Sequence, residues 1–450
     1  MHRDCLIIEG LAGKKSLKGK VQINGAKNAV LKAMAASVLF ADELVIANAP
    51  DTEDVKKLAH LLHLAGAEVS MDAAKKEIRI NASTIVSTDL DHETTKAMRG
   101  SVMLTGPLLA RFGKVSFNVP GGCVIGARPI DLYIDAYKKL GAKVVVSGDH
   151  YTIDVGQEKN LVGAEIFFAL QTVGGTETLM MASVLAKGTT VLKNCAMEPE
   201  IVSLAEFLVQ CGAKISGIGS PTMTIVGVGL LNADGKKYHT IPDRIEAGSF
   251  LLLGALCADD LLIERCNPLH LESVTSALQN AGVLLVIGKD SIYITANAKT
   301  KWANVSSFSV RTHEYPGFPT DLQPQMVAFL AHTAGEGIMF ETIYEGRFKY
   351  VQDLIRMGAD ITEMNPREVL VRGFGGEDAT QKNGETKMLL ALGKDEPLQA
   401  HDIRAGFAVV MAALVAKGTS VIQNAYYIDR GYEKLEERLA ALGATIRREK

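Results

Sequence analysis

The sequence has few of the features that mark exported, membrane or disulfide-bonded proteins. Its six cysteines include no C-x-x-C pair, which in a chain of this length favours reduced thiols. The longest apolar helix candidate, AGFAVVMAALVA at 405–416, is shorter than the roughly 18 residues that a membrane span needs. The opening residues MHRDCLIIEG have only a short apolar run, broken by Glu9, so we expect no secretory signal. These absences predict a soluble cytoplasmic protein with no membrane partner.

Other absences narrow the chemistry. A formal net charge of −3 argues against binding nucleic acid through bulk charge, so any anion site must be local. The sequence has no H-E-x-x-H motif and no Cys/His cluster with metal-ligand spacing. The stretch GKKSLKGKV lacks the spacing of a phosphate-binding loop. We therefore expect no metal, no cofactor and no nucleic-acid partner, and nothing in the sequence implies a protein partner.

What the sequence does contain is a sixfold internal repeat. The segments FADELVIANAPDTEDVKKLAHLLHLAGAEVS (40–70), AKGTTVLKNCAMEPEIVSLAEFLVQCGAKIS (186–216) and AKGTSVIQNAYYIDRGYEKLEERLAALGATIR (416–447) share one plan, and three more segments follow it. The hydrophobic periodicity of each unit predicts the order αβαββ. The second helix of each unit is expected to end at a glycine. These glycines are Gly66, Gly141, Gly212, Gly282, Gly358 and Gly443.

The repeats predict an α/β fold built from α+β repeats, with three αβαββ units in each of two domains. Residues 26–240 are expected to form one domain, with a lid loop at 118–129. Residues 1–25 and 241–450 are expected to form the other, with a hinge near 24 and 241. The sixth unit has only one strand after its second helix, so we expect the N-terminal strands CLIIEG and KVQIN to complete the last units. A partner-binding solenoid is the alternative interpretation of the repeats.

The starts of the repeat helices are candidate binding sites, because the six repeats differ in sequence there. Helix N-termini attract anions through free N–H groups and the helix dipole. Cations near such starts suggest a cleft that closes on a multiply charged anion. The six cations are Lys27, Arg99, Arg128, Arg347, Arg404 and Arg430.

Two further residues are candidates for proton transfer. Cys123 lies among glycines in NVPGGCVIGARPID (118–131), and the nearby Arg128 would favour its thiolate. A structural role for this cysteine is the alternative. Asp321, in GFPTDLQPQ, is either a helix N-cap or a carboxylate that faces the same cleft as Cys123.

These motifs resemble the enolpyruvyl transferase family. The matching pieces run from NGAKNA through AMRGS, PGGCVIGARPIDL, EPEIV, PDRIEAGSF, FPTDLQPQ and EGRF to IDRGYE. The resemblance implies a pair of inverse α/β barrels. It also implies that the enolpyruvyl group of phosphoenolpyruvate moves to the 3′-hydroxyl of UDP-N-acetylglucosamine (UDP-GlcNAc) and phosphate is released, which is the first committed step of peptidoglycan synthesis. The same resemblance leaves two alternatives, the sister reaction on shikimate 3-phosphate and a catalytically silent paralogue that binds UDP-sugars.

The resemblance also implies residue roles. Cys123 is the expected acid and Asp321 the expected base, and Lys27 joins them as a catalytic residue. The residues expected to bind phosphoenolpyruvate are Lys27, Asn28, Arg128, Arg347, Arg404 and Arg430. The residues expected to bind UDP-GlcNAc are Asn28, Arg99, Arg128, Pro129, Ile130, Asp131, Leu132, Thr172, Val173, Gly174, Asp321 and Ile343. Leu170 and Gln171 depart from the family pattern, since some relatives carry a basic residue there, near the diphosphate.

Overall fold

The structure, a computed structural model, describes residues 4–121, 130–158, 160–295, 305–375 and 388–449. The described residues fall into two compact units. We call the unit that runs from Gly25 to Ile241 the central unit, and the unit that comprises residues up to Asn24 and from Pro242 onward the terminal unit. Most of the predicted lid loop, from 122 to 129, lies outside the described residues, so the lid and the hinge stay predictions.

The helices and strands follow the repeat. The described helices are α1 (Lys27–Ala36), α2 (Glu53–Leu64), α3 (His92–Ala97), α4 (Thr105–Phe112), α5 (Asp131–Lys139), α6 (Val173–Val184), α7 (Pro199–Gln210), α8 (Arg244–Cys257), α9 (Glu272–Asn280), α10 (Gln323–Leu330), α11 (Val351–Arg356), α12 (Ile403–Val415), α13 (Tyr426–Asp429) and α14 (Leu435–Ala441). The described strands are β1 (Cys5–Glu9), β2 (Leu17–Gln22), β3 (Leu44–Ala47), β4 (Glu68–Asp72), β5 (Glu77–Asn81), β6 (Lys114–Asn118), β7 (Lys143–Ser147), β8 (His150–Asp154), β9 (Glu165–Phe167), β10 (Thr189–Lys193), β11 (Lys214–Ser216), β12 (Thr222–Val226), β13 (Lys237–His239), β14 (Ala258–Glu264), β15 (Leu285–Ile287), β16 (Ser291–Thr295), β17 (Val310–Arg311), β18 (Glu336–Phe340), β19 (Asp360–Asn365), β20 (Glu368–Arg372), β21 (Leu398–Gln399), β22 (Thr419–Gln423) and β23 (Thr445–Glu449).

Each repeat forms its own small sheet, which confirms the predicted fold class. The central unit contains the sheets β13-β3-β5-β4, β6-β8-β7 and β11-β12-β10-β9. The terminal unit contains β15-β16-β14-β2, β17-β18-β20-β19 and β21-β22-β1-β23. In the first sheet, β3 pairs antiparallel with β5 and parallel with β13, a strand that comes after the third repeat. The third repeat of the central unit is thereby joined to the first.

The N-terminal strands close the terminal unit, but not both in the predicted place. β1 lies between β22 and β23, with Ile7 opposite Val421 on one side and Arg447 on the other. It supplies the strand that the sixth repeat lacks, as predicted. β2 instead pairs parallel with β14 in the sheet of the fourth repeat. The prediction for β2 was wrong because β2 takes the position that a strand from the preceding segment takes in the neighbouring sheets.

The six predicted helix-ending glycines all adopt left-handed backbone conformations. Their φ angles are positive, from 91° at Gly141 to 107° at Gly212. A side chain at such a φ is strained, whereas glycine adopts it readily, so it can end a helix and turn the chain into the next strand. The glycine spacing therefore located the second helix of every repeat.

The first helix of each repeat is buried on nearly all sides, as α6 and α12 illustrate. The second helices are amphipathic, with one face exposed. The buried apolar residues form a separate core cluster in each unit. α12 has only 13 residues, and no helix in the described part of the chain is long and apolar enough to cross a membrane.

Candidate active site

In the central unit, the predicted binding residues lie where helices begin. Lys27 is the first residue of α1, Asp131 the first of α5 and Val173 the first of α6, while Arg99 begins a 3-10 turn that leads into α4. Backbone N–H groups in the first turn of a helix have no partner within the helix. The prediction that Lys27 and Arg99 lie at helix starts is confirmed.

Lys27 is buried, and its charge is already paired. Its Nζ lies 3.1 Å from Asp54 Oδ2, in the first turn of α2, and both side chains are more than nine-tenths buried. The neighbouring Asn28 is half-buried. Asp54 could not be predicted as the partner, because it is 27 residues away and lies on a different helix. The pair limits the orientations of the Lys27 ammonium.

The start of α6 packs tightly on α5. Thr172 caps α6 by accepting a hydrogen bond from the backbone N–H of Gly175, 3.2 Å from its Oγ1. A Cβ at Gly174 would lie only 2.7 Å from the hydroxyl oxygen of Tyr133 on α5. A larger residue at 174 would therefore have to displace the Tyr133 hydroxyl. Val173 and Gly174 remain half-buried.

The two residues that depart from the family pattern bring no cation to this region. Leu170 is 79% exposed. The side-chain amide of Gln171 donates a hydrogen bond to the carbonyl oxygen of Cys195, 3.1 Å away. Gln171 therefore supports the loop that precedes α6.

In the terminal unit, Asp321 lies between two predicted arginines. Arg347 Nη2 donates to Asp321 Oδ1 at 2.8 Å, and Arg404 Nε donates to Asp321 Oδ2 at 3.2 Å. Both arginine side chains are at least 95% buried, whereas the Asp321 side chain is 29% exposed. Asp321 does not act as the N-cap of α10, which begins after Leu322 without a side-chain cap. The structural alternative for Asp321 is thus excluded.

Both arginines keep unused hydrogen-bond donors. Arg347 Nε and Arg404 Nη1 are buried and have no hydrogen-bond partner among the described residues. Burial acts to lower the pKa of Arg404, but Tyr432, Asp321 and Asp243 outweigh it and the pKa is raised. The pKa of Arg347 is raised in the same way, since its acidic neighbours outweigh its burial. Both side chains are therefore permanently charged, and each has a donor left for a further acceptor.

A second layer of contacts holds the Arg347 side of this group. Thr320 Oγ1 accepts from Arg347 Nη1 at 2.7 Å and donates to Glu341 Oε2 at 2.8 Å. The other oxygen of Glu341 accepts the backbone N–H of Ile343 at 2.7 Å, which connects this predicted residue to the group. Sequence reasoning missed Thr320 and Glu341. The position of Thr320 beside Asp321 was the one available signal.

Arg430 differs from its predicted place. It is the C-cap of α13 rather than the start of a helix, and Arg347 precedes α11 by four residues rather than beginning it. Two residues after Arg430, the ring of Tyr432 lies under the Arg404 guanidinium, with Cζ 5.3 Å from the ring centroid. The segment that contains Arg430 thus contacts the Asp321 group, by which we mean Asp321 with Arg347 and Arg404.

Cys123, Arg128 and Pro129 lie outside the described residues. In the described ranges, no group of three or more His, Cys, Asp or Glu side chains is arranged to hold a metal ion.

Nearly the whole chain is similar to known proteins. The family model for EPSP synthase (3-phosphoshikimate 1-carboxyvinyltransferase) matches residues 11–439. The chain belongs to the EPSP synthase family. A relative from Koribacter versatilis, named UDP-N-acetylglucosamine 1-carboxyvinyltransferase, is 41% identical over 97% of this chain and 95% of its own length. A relative of the same name from Wolinella succinogenes is 41% identical over 97% of this chain and 98% of its own length.

Solved structures of this family share the fold. The enolpyruvyl transferase NikO from Streptomyces tendae matches with a TM-score of 0.83 at 22% identity, covering 100% of this chain and 99% of NikO. EPSP synthase from Acinetobacter baumannii matches with a TM-score of 0.71 at 18% identity, over 100% of both chains. At these identities the likeness concerns the fold alone. The family model and the relatives at 41% identity confirm the predicted membership of the enolpyruvyl transferase family.

Proposed function

We propose that this chain transfers the enolpyruvyl group of phosphoenolpyruvate to the 3′-hydroxyl of UDP-GlcNAc and releases phosphate. The observation that carries the proposal is the Asp321 group, in which two buried arginines with unused donors flank a partly exposed carboxylate. The arginines suit a substrate carboxylate, and Asp321 suits a proton acceptor. The names of the relatives at 41% identity support the choice of UDP-GlcNAc as the acceptor.

The reaction consists of an addition and an elimination. In the addition, the sugar hydroxyl oxygen bonds to C2 of phosphoenolpyruvate, Asp321 takes the hydroxyl proton, and Cys123 gives a proton to the methylene carbon. In the elimination, the Cys123 thiolate takes a proton back from that carbon, the double bond forms again, and the C–O bond to phosphate breaks as the protonated Asp321 returns its proton to the leaving group. Each half needs one acid and one base, so a thiol and a carboxylate are sufficient.

Binding of phosphoenolpyruvate would change the charge around Asp321. The substrate carboxylate would accept from the unused donors, Arg347 Nε and Arg404 Nη1, while Asp321 keeps Arg347 Nη2 and Arg404 Nε. The negative charge of the substrate beside the two arginines then weakens their stabilisation of ionised Asp321, which becomes a better base. The base is thereby activated when its substrate is present.

The remaining cations bind the phosphate group of phosphoenolpyruvate. We assign Lys27, Arg128 and Arg430 to the phosphate, whose transfer from carbon to solvent requires charge neutralisation throughout. The ion pair with Asp54 keeps the Lys27 ammonium in one orientation, so it costs less conformational entropy to use.

The helix starts of the central unit are assigned to UDP-GlcNAc. The N-termini of α1, α5 and α6 suit the anionic diphosphate through the positive end of the helix dipole. The residues assigned to this substrate are Asn28, Arg99, Arg128, Pro129, Ile130, Asp131, Leu132, Thr172, Val173, Gly174, Asp321 and Ile343. We place this reaction in the cytoplasm, as the first committed step of peptidoglycan synthesis, with small-molecule substrates and no protein partner.

The sister reaction on shikimate 3-phosphate is the second candidate, because the matching family model bears its name. A phosphate-release assay separates the two. Purified protein receives phosphoenolpyruvate with either UDP-GlcNAc or shikimate 3-phosphate. We expect phosphate only with UDP-GlcNAc. Release only with shikimate 3-phosphate would establish the sister reaction, and release with neither would favour the silent paralogue.

A further inference from the structure

Arg448, near the end of the chain, holds three carboxylates outside the group described above. Its Nη1 and Nη2 donate to the two oxygens of Asp429, each at 2.7 Å. Its Nε donates to Glu436 Oε1 at 2.6 Å, and its Nη1 also donates to Asp4 Oδ2 at 3.0 Å. The Arg448 side chain is 17% exposed. This is a forked arginine that connects β23 with α13, α14 and the N-terminal segment.

The carboxylate that receives the fork is adjacent to a proposed substrate residue. Asp429 ends α13, and Arg430 is the next residue. Burial raises the pKa of Asp429, and the Arg448 hydrogen bonds oppose that shift. Without Arg448, Asp429 would face Glu436 and Asp4 across a site with no compensating guanidinium, and like charges that close together repel. The end of α13 would then have to move.

Movement there would reach the Asp321 group through packed side chains. A Cβ at Gly431 would lie 2.5 Å from Ile403, so the backbone passes directly against the start of α12. The Tyr432 hydroxyl lies 2.8 Å from Ser249 Oγ, and the Tyr432 ring lies under Arg404. The positions of Arg430, Gly431 and Tyr432 therefore all depend on where Asp429 ends α13.

We infer that Arg448 is a positioning residue, which orients Arg430 toward the phosphate of phosphoenolpyruvate by holding Asp429. The inference rests on the proposed function of Arg430. Arg448 acts on Arg430 through the adjacent Asp429 and contacts no residue assigned to UDP-GlcNAc in the described ranges, so its larger effect is on phosphoenolpyruvate. Loss of a merely structural residue would weaken the binding of both substrates, or would lower the stability alone.

The test compares Arg448→Met with Arg447→Met. Arg447 is the neighbour on β23, is 65% exposed and pairs with Glu449, so it controls for loss of charge on that strand. We expect Arg448→Met to raise the KM for phosphoenolpyruvate at least tenfold, with the KM for UDP-GlcNAc within twofold of wild type. For Arg448→Lys, which keeps the charge but loses the forked hydrogen bond, we expect a KM for phosphoenolpyruvate between those of wild type and Arg448→Met. Arg447→Met should match wild type.

A binding measurement makes the test independent of turnover. Inorganic phosphate should raise the Tm of wild type and of Arg447→Met, and this shift should be lost in Arg448→Met. If Arg448→Met does not fold, Asp429→Asn tests the same contact, since it keeps the shape and weakens the fork. Equal rises in both KM values, or an unchanged phosphate shift, would overturn the inference. A wild type that releases no phosphate but binds it, with the shift lost in Arg448→Met, would refute the proposed function and leave the role of Arg448 standing.

Discussion

The carboxyl group of Glu177 should make the stability of the protein fall as the pH rises. Glu177 is fully buried on α6, and Lys32 Nζ on α1 lies 3.2 Å from its Oε2. Neither carboxyl oxygen has a well-aligned hydrogen bond among the described residues. Burial raises the pKa of Glu177 to about 8, and it outweighs the opposing attraction of Lys32, with Glu200 and Glu198 adding to the rise. The neutral acid is therefore favoured in the folded state.

The sign and the size follow from linkage. The unfolded carboxyl ionises near its ordinary pKa of 4.5, whereas the folded one keeps its proton to about pH 8. Between these values the folded state binds more protons than the unfolded state, so the free energy of unfolding falls as the pH rises. One pKa unit corresponds to about 1.4 kcal/mol, so the loss from pH 5 to pH 8 is on the order of 4 kcal/mol.

The perturbation is Glu177→Gln, which keeps the volume and removes the titration. Urea denaturation of the intact protein at pH 5, 6, 7 and 8 gives the free energy of unfolding of wild type and variant. We expect similar stability at pH 5, because both side chains are neutral there, and a growing advantage for the variant toward pH 8. The matched control is Glu206→Gln on α7, where the side chain is exposed. Its stability should run parallel to wild type.

A constant difference between wild type and Glu177→Gln from pH 5 to pH 8 would refute this reasoning. It would mean that Glu177 is ionised throughout and that the attraction of Lys32 outweighs burial. Lys32→Met then distinguishes the effect of burial from the attraction of Lys32. Removing the cation should extend the pH-dependent loss above pH 8, because the group that opposes the pKa rise is gone.

Three further predictions concern the reaction. Cys123→Ala should abolish phosphate release, and a thiol-alkylating phosphonate epoxide should label Cys123 alone in a peptide map. Burial raises the pKa of Cys195 to about 11 and that of Cys257 to about 12, which suppresses their thiolates. Label on either of these two cysteines would contradict the assignment. Asp321→Asn should lower kcat by about two to four orders of magnitude and remove the low-pH limb of the pH profile, and a variant that keeps that limb would show that the base lies elsewhere. Arg404→Met should raise the KM for phosphoenolpyruvate roughly tenfold or more, as expected for a lost charged hydrogen bond, while the KM for UDP-GlcNAc stays near wild type.

Local sequence patterns predicted the elements well, because the forces that form them act between near neighbours. The spacing of apolar residues placed the buried and amphipathic helices, and the repeat glycines placed the ends of the second helices, all at positive φ. The prediction for β2 was wrong because strand pairing between distant segments is decided by which sheet edge remains open, and no local pattern encodes that.

The candidate site divides in the same way. The motifs identified Asp321, Arg347 and Arg404, but not that both arginines would donate to the one carboxylate, or that Thr320 and Glu341 would support Arg347. An arginine in a sequence is compatible with a solvated surface and with a buried anion site alike. Only its surroundings distinguish these.

The sequence by itself thus determined the αβαββ repeats, the helix ends and the family, since each depends on residues within a few turns of one another. The tertiary structure alone decided the charge partners. Lys32 meets Glu177, Arg404 meets Asp321 and Arg448 meets Asp429. The first two pairs are far apart in the sequence, and the third joins separate elements. Whether two charges pair is set by distance and burial, and both quantities exist only once the chain has folded.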